Sequence, residues 1–351
     1  MKNSVETHLR ETPYWRKVAE EYGDLEEGVK TAIRDIESWR DMVDVLGLNN
    51  PEKSEHFAKA MRNTSYKNFV PESKLEEIYA VGESGGTTGS PKNAPLPKED
   101  WFSNIERFNE YLDNAGIPRD EDMLWIGPQF PPHTIAAYAR DLAESRGGNI
   151  LGIDLDPRIL KKFGREGMQD SLERYKKHIG KQVKDLVKSQ DVGYTFTTAD
   201  ILEEMAGKMD VDKLDLDGII QAGAPLSQEQ NRVFQEEIYD DMPFTGGFGT
   251  ALTEFTGIQL LDTDDYEVIY LSAGPTRRLE VYDDDGKLCD YGEKGTLATS
   301  KVTENFLMPA YLEEDEAVMV ESPSYLDTDL PCVKDIVPSK SREEKNKGGV
   351  Y

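Results

Sequence analysis

Apolar residues in the middle of the chain form short continuous runs that alternate with stripes at helical spacing. The runs are typical of buried strands and lie at residues 78–82, 123–127, 149–154, 192–197 and 218–222. Helices are predicted between them, at about 101–115, 134–145, 169–188, 199–209 and 228–240. This alternation predicts an α/β fold, in which helices cover a mostly parallel sheet on both faces.

The two ends of the chain follow other patterns. Residues 1–70 are polar with apolar positions at helical spacing, which predicts a helical segment packed on the main domain and without chemistry of its own. From residue 244 the helical stripes give way to short apolar runs and Asp/Gly turns, so 244–338 is predicted to be a smaller antiparallel β region. The α/β core then spans 71–243, and the charged residues 339–351 predict a flexible tail.

Charge narrows the choice of partners. The chain has 41 Lys and Arg against 68 Asp and Glu, a net charge of −27, which repels nucleic acid and anionic membranes. Such acidity is typical of halophilic proteins, whose self-repulsion is screened by salt. The two cysteines form no metal-binding spacing, and there is neither a signal-peptide pattern nor a long apolar run. We therefore expect a cytoplasmic protein, monomeric or homodimeric, that captures any phosphate ligand at a local site.

One stretch supplies such a site: Ser84-Gly85-Gly86-Thr87-Thr88-Gly89-Ser90-Pro91-Lys92. Its glycines permit tight turns whose backbone N–H groups can surround an anion, while the hydroxyls and the lysine add donors. The same composition is also common in plain surface loops. Neither the GxxxxGK[ST] phosphate loop nor the GxGxxG dinucleotide fingerprint is present in it.

These nine residues match at every position the phosphate-binding motif [ST]-[SG]-G-[ST]-T-G-x-P-K, and the chain thereby resembles the acyl-adenylate-forming superfamily. That superfamily includes acyl-CoA synthetases, adenylation domains and luciferases. The resemblance implies its N-terminal domain fold, ATP with Mg²⁺ as cofactors, and a loop that holds the β- and γ-phosphates, with Lys92 and Thr87 in catalytic roles. The overall pattern is most similar to the phenylacetate-CoA ligase branch, and to its short members in phenazine antibiotic biosynthesis.

Two downstream stretches resemble the adenine side of that site. Gly223-Ala224-Pro225 follows a strand, although a plain strand-to-helix turn capped by Ser227 gives the same pattern. Phe248-Gly249 resembles the aromatic-glycine pair that stacks on adenine, and Gly247 beside it is assigned to the substrate pocket. The family's Thr and Glu, which contact the α-phosphate and Mg²⁺, correspond to Thr253 and Glu254. Because two extra residues precede them, Thr250 is an alternative source of the hydroxyl.

A third stretch, Met308–Asp315, resembles the segment that binds the ribose hydroxyls. Tyr311 and Asp315 match it, whereas Ala310 replaces an arginine and Glu313-Glu314 replace Thr-Gly. An acidic surface turn would have a similar composition. His133 stands where relatives line the carboxylate pocket, although a single histidine is commonly a packing or capping residue.

The resemblance implies an ATP-dependent ligase that converts a small aromatic or hydrophobic carboxylic acid to an acyl-adenylate and releases pyrophosphate. CoA or a protein is the implied acceptor. The residues after Asp315 are too few for the family's C-terminal lysine domain, so we expect that domain to be absent and a partner to be needed for the second half-reaction. Two alternatives remain open. One is a non-catalytic binding protein for nucleotide or acyl-adenylate, and the other is an acyl-protein synthetase that transfers the acyl group to its own Ser or Cys, with Cys332 the cysteine nearest the end.

Overall fold

The fold is given by a computed structural model that describes residues 1–84, 91–208, 216–240, 242–261 and 263–339. The helices in these ranges are α1 (Lys2–Glu11), α2 (Pro13–Glu20), α3 (Leu25–Arg34), α4 (Trp39–Leu46), α5 (Pro51–Asn63), α6 (Lys98–Asn114), α7 (Thr134–Ser145), α8 (Pro157–Arg165), α9 (Gln169–Ser189), α10 (Ala199–Lys208) and α11 (Gln228–Val233). The strands are β1 (Ile78–Glu83), β2 (Asn93–Pro97), β3 (Met123–Gly127), β4 (Ile150–Asp154), β5 (Tyr194–Thr197), β6 (Gly218–Ala222), β7 (Phe244–Thr250), β8 (Glu254–Gln259), β9 (Ile269–Ser272), β10 (Arg277–Tyr282), β11 (Lys294–Val302), β12 (Leu307–Val320) and β13 (Cys332–Pro338).

Five parallel strands form one part of a large sheet, in the order β4-β3-β5-β6-β7. This is the strand order of a doubly wound sheet: β4 is added on one side of β3, and β5 and the following strands are added on the other side. Successive residues of β3 point to opposite faces. Leu124 and Ile126 join a core with α8–α10 and with Phe234, which follows α11, whereas Met123 and Trp125 join a core with α6 and α7. Helices thus cover both faces, and the predicted α/β class is confirmed.

The antiparallel strands extend this same sheet. β7 pairs in parallel with β6 on one side and antiparallel with β8 on the other. Beyond β8 the order continues through β9, β13, β12 and β11 to β10, so eleven of the thirteen described strands form one sheet. The short hairpin β1–β2 stands apart as a second sheet. Residues of β12 and β13 thereby come to face the ends of the parallel strands across a pocket.

The N-terminal helices pack on β12 and on the residues that lead into it. The Trp15 indole N–H donates to the Leu307 carbonyl at 2.9 Å, and the Leu48 N–H donates to the Pro309 carbonyl at 2.8 Å. Their apolar side chains belong to the same core as α6 and α7. Across the described ranges, no helix combines the length and the apolar character that a bilayer crossing requires.

Candidate active site

A pocket of about 860 Å³ opens where β3, β5, β6 and β7 end. Ligands of doubly wound sheets bind at this position, because the loops after the carboxyl ends of the strands diverge where the strand order reverses. Here the loops after these strands form one side, the β1–β2 hairpin and α5 form another, and β12 with the end of β13 closes the third. Apolar side chains, among them Trp125, Ile135 and Tyr138, line the interior.

The stretch from Ser84 to Lys92, here called the glycine loop, is closed at its base by two hydrogen bonds. The Ser84 N–H donates to the Lys92 carbonyl at 3.1 Å, and the Lys92 N–H donates to the Ser84 hydroxyl at 2.9 Å. Both residues line the pocket. The loop therefore joins the two strands of a hairpin and begins and ends at the pocket wall. Its predicted phosphate ligands Gly85, Gly86, Thr87, Thr88 and Gly89 lie outside the described residues.

The Lys92 ammonium is held by an aromatic residue of β12. Its Nζ donates to the Tyr311 hydroxyl at 2.9 Å and lies 4.7 Å from the centre of the Tyr311 ring. Burial disfavours the charge, but Tyr311 and the Glu313 carboxylate outweigh it and raise the pKa of Lys92. For the Tyr311 phenol, burial disfavours the charged phenolate and therefore raises the pKa. The pair is thus a protonated lysine beside a neutral phenol.

The adenine-side stretch after β6 lies in the pocket and is also a helix start. Gly223, Ala224 and Pro225 line the pocket, and Gly223 has φ +85, a conformation that favours glycine. Ser227 caps α11, since its hydroxyl accepts from the Gln230 N–H at 3.1 Å. The two interpretations of this stretch are therefore compatible.

The aromatic-glycine pair lies at the end of β7. Phe248, Gly247 and Gly249 line the pocket, and Phe248 is half-buried, with its ring 6.2 Å from that of Tyr270. A Cβ atom on Gly249 would lie 2.0 Å from the Glu254 carbonyl oxygen, so only glycine fits this close approach of β7 and β8. The glycine permits the tight turn that follows.

The two extra residues before Thr253 form that turn. Thr250 and Glu254 are direct partners in the β7–β8 ladder. Thr250 lines the pocket, whereas Thr253 is fully buried (0% exposed) and its hydroxyl lies 2.9 Å from that of Thr250. The Leu252 N–H also donates to the Thr250 hydroxyl, at 3.3 Å. Of the two candidate hydroxyls, the structure brings that of Thr250 to the pocket.

Glu254 neutralises two buried cations. Arg277 and Lys301 are direct cross-strand partners on β10 and β11, an arrangement that is repulsive without a counter-ion. The Glu254 carboxylate accepts from the Arg277 Nη2 at 3.0 Å and from the Lys301 Nζ at 2.7 Å. Asp100 adds a second carboxylate 3.6 Å from Lys301; burial acts to raise the pKa of Asp100, but the two cations outweigh it and lower it.

This network bears on the predicted magnesium ligand. Both oxygens of Glu254 already accept from cations, so Mg²⁺ held by Glu254 does not fit the described contacts. No group of three or more His, Cys, Asp or Glu side chains in the described part of the chain is arranged to hold a metal ion. Glu254 still contributes to the pocket floor, next to Thr250.

The predicted ribose carboxylate is part of an acidic wall. Asp315 lies on β12 opposite Pro338 of β13 and lines the pocket together with Glu313, Glu314 and Glu316. The Glu313 carboxylate accepts from the Thr299 hydroxyl at 2.7 Å. The stretch is therefore a strand that faces the pocket, not a surface turn.

His133 lies beside the glycine loop. It precedes α7 as its N-cap residue, is 8% exposed and lines the pocket. Its backbone forms a parallel bridge with Glu83, and the Glu83 N–H donates to the Pro132 carbonyl at 2.8 Å. The hairpin that carries the loop is thus docked on the segment after β3.

Several pocket residues were absent from the sequence-based prediction. Pro51, Ser54, Glu55 and Arg62 of α5 line the pocket, although residues 1–70 were expected to carry no chemistry. No local pattern indicates them, because α5 has the usual stripe of a helix packed on a core. Only the tertiary contact with β12 brings them to the pocket.

Cys332 is not activated. It is fully buried, its Sγ lies 3.6 Å from the Ser322 hydroxyl, and burial raises the pKa of its thiol. Since the thiolate is the nucleophile, this environment does not favour an acyl group on Cys332.

Ligases of known structure share this fold. An open conformation of 2-hydroxyisobutyryl-CoA ligase in complex with 2-HIB-AMP and CoA aligns with a TM-score of 0.67 at 15% identity, over 96% of this chain and 72% of the ligase. ATP-bound MatB from Rhodopseudomonas palustris aligns with a TM-score of 0.50 at 15% identity, over 74% of this chain and about half (48%) of MatB. No protein-family model and no curated protein matches the chain in sequence. At such identity the likeness establishes the fold alone, which these proteins share over the aligned part of their chains.

Proposed function

We propose that this chain is an ATP-dependent ligase that activates a small carboxylic acid as its acyl-adenylate. The observation that carries the proposal is the convergence of three separate stretches on one pocket: the base of the glycine loop, the turn after β6 and the end of β7. In sequence these stretches are far apart, and the resemblance of each one separately predicts contact with the nucleotide. The CoA ligase with the same fold was solved with an acyl-adenylate, which adds support.

The chemistry asks little covalent work of the protein. A substrate carboxylate oxygen attacks the α-phosphorus of ATP, a P–O bond forms, and the bond to the departing pyrophosphate breaks. Lys92 neutralises charge on the phosphates, and the Thr250 hydroxyl donates to the α-phosphate. Gly223–Pro225 and Phe248 hold the adenine, and Asp315 accepts from the ribose hydroxyls. Positioning and charge neutralisation supply the rate enhancement.

Magnesium, when present, reduces the charge of the nucleotide phosphates. We assign no step to it, because the Glu254 oxygens are already occupied. The acidic wall of β12 makes neutralisation of the nucleotide more necessary, since Glu313–Glu316 face the same pocket.

The acid is proposed to be aromatic or hydrophobic, as in the phenylacetate-CoA ligase branch. Support comes from the apolar lining of Trp125, Ile135 and Tyr138, with His133 and Gly247 nearby. CoA or a carrier protein is the proposed acceptor, and a partner is proposed for the second half-reaction.

ATP–pyrophosphate exchange tests the proposal. Purified protein is incubated with ATP, labelled pyrophosphate and a panel of aryl and alkyl carboxylic acids, with Lys92→Ala as the inactive variant. Acid-dependent label in ATP is the expected result. Tight ATP binding without exchange for any acid would instead indicate a non-catalytic nucleotide-binding protein.

A further inference from the structure

Arg62, near the end of α5, is a cation of the pocket that has no adequate partner. Its side chain is 21% exposed and lines the pocket. Its Nε is buried and has no hydrogen-bond partner among the described residues. Its one ion pair there is to Glu55, at a long 3.4 Å from Nη1, and the Glu55 side chain is 68% exposed. A buried guanidinium N–H without an acceptor is costly unless a ligand supplies one.

The position of Arg62 is fixed by contacts between α5 and β12. The Leu312 N–H donates to the Ser54 hydroxyl at 3.1 Å, and the Phe57 ring lies 5.9 Å from that of Tyr311. Phe57 itself is fully buried. The helix that carries Arg62 is therefore anchored on β12, and α5 and β12 together form one wall of the pocket.

Arg62, Lys92 and Tyr311 form a group of donors on this wall. The charge of Arg62 opposes protonation of Lys92, which places the two cations within electrostatic reach of each other. The Tyr311 oxygen accepts from Lys92, and its own proton has no acceptor among the described contacts. Glu313 offsets part of the positive charge. Unused donors on two neighbouring cations and a phenol define a site for an anion.

We propose that Arg62 binds the terminal phosphates of the nucleotide together with Lys92, and that Tyr311 donates its hydroxyl proton to the same group. The assignment rests on the proposed function. It favours phosphate over the substrate carboxylate because Lys92 ends the glycine loop, and because a guanidinium can hold two phosphate oxygens at once. It also accounts for Ala310: the arginine expected next to Tyr311 is supplied instead by the N-terminal helices.

Calorimetric titration of ATP, AMP and tripolyphosphate tests this assignment. Arg62→Gln is compared with Arg62→Lys, which retains the charge, and with Arg16→Gln as the matched control. Arg16 belongs to the same N-terminal segment, pairs with Glu72 at 3.2 Å and lies outside the pocket lining. We expect Arg62→Gln to weaken ATP and tripolyphosphate about 10-fold or more, with AMP changed less than about twofold and partial recovery in Arg62→Lys.

The outcomes separate this assignment from the proposed function. If Arg62→Gln leaves ATP affinity unchanged while Lys92→Ala lowers it, or if ATP and AMP weaken in parallel, Arg62 does not bind the terminal phosphates. If tripolyphosphate binding depends on Arg62 but no acid supports pyrophosphate exchange, the phosphate site stands and the ligase proposal fails. Equal losses in Arg16→Gln and Arg62→Gln would indicate a general charge effect and also overturn the assignment.

Discussion

The Glu254 carboxylate lies 2.7 Å from the Lys301 ammonium, and neither side chain is exposed to solvent. The same carboxylate is bonded to Arg277, the cross-strand partner of Lys301. Glu254 also has φ +55, a conformation rarely adopted by a residue with a side chain. The pair therefore stabilises both the strained turn that ends at Glu254 and the juxtaposition of two cations in the sheet.

Replacing Glu254 with Gln should destabilise the fold strongly. The change leaves Lys301 and Arg277 with too little negative charge in a buried place, for which a loss of about 3–5 kcal/mol in the free energy of unfolding is expected. Denaturant titration measures it. Glu26→Gln, which removes the exposed partner of Arg10, is the control and should cost about 1 kcal/mol or less. An unchanged stability together with a raised Mg²⁺ requirement would instead indicate a metal ligand.

Thr250 and Thr253 should differ in effect. Thr250→Val removes a pocket hydroxyl and is expected to lower ATP affinity about fivefold. Thr253→Val removes a buried hydroxyl and should mainly lower the midpoint of thermal unfolding. Paired calorimetry and thermal melts of the two variants check this. A larger loss of ATP affinity in Thr253→Val would show that the fully buried hydroxyl reaches the phosphate after a rearrangement.

Lys92→Ala should weaken ATP about tenfold or more, because a charged donor to phosphate is lost. Lys98→Ala is the matched control, since Lys98 is exposed at the start of α6 and does not line the pocket. Titration calorimetry with ATP measures both. Equal ATP affinities for the two variants would show that the Lys92 ammonium does not bind the phosphates.

The parallel half of the fold could be predicted because its strands are continuous apolar runs. β7 could not be recognised in the same way, since its sequence Phe244-Thr-Gly-Gly-Phe-Gly-Thr250 has three glycines and no alternation. β7 is held as a strand by its pairing with β6 on one side and β8 on the other. The sheet therefore continues without a break where the sequence pattern changes.

The pocket residues that belong to a contiguous sequence motif could be predicted. Those that reach the pocket only through contacts between distant parts of the chain could not. Ser84, Lys92 and Phe248 follow local patterns. Arg62 does not, because its role depends on the contact between α5 and β12, more than two hundred residues apart in the chain. Lys301 is a similar case, since a charged residue in a strand normally predicts an exposed face, and only its cross-strand neighbours show why it is buried.

The stability of the chain should depend on His8 at mildly acidic pH. His8 is fully buried; its Nε2–H donates to the Thr303 carbonyl at 3.0 Å, and its Nδ1 accepts from the Thr12 hydroxyl at 2.9 Å. Burial lowers the pKa of His8 from 6.5 to about 4. Between these two values the unfolded chain binds a proton that the folded chain does not. The free energy of unfolding should therefore decrease as the pH is lowered through this window, by up to about 3 kcal/mol from His8.

Denaturant titrations at intervals between pH 7 and pH 4 measure this dependence. His8→Gln should be less stable at neutral pH, yet its stability should fall less steeply as the pH drops, because the titrating group is gone. His178→Gln is the matched control: His178 is exposed on α9, so the slope should equal that of the unmodified chain. Parallel slopes for His8→Gln and His178→Gln would mean that carboxylates, and not the buried imidazole, set the response to acid.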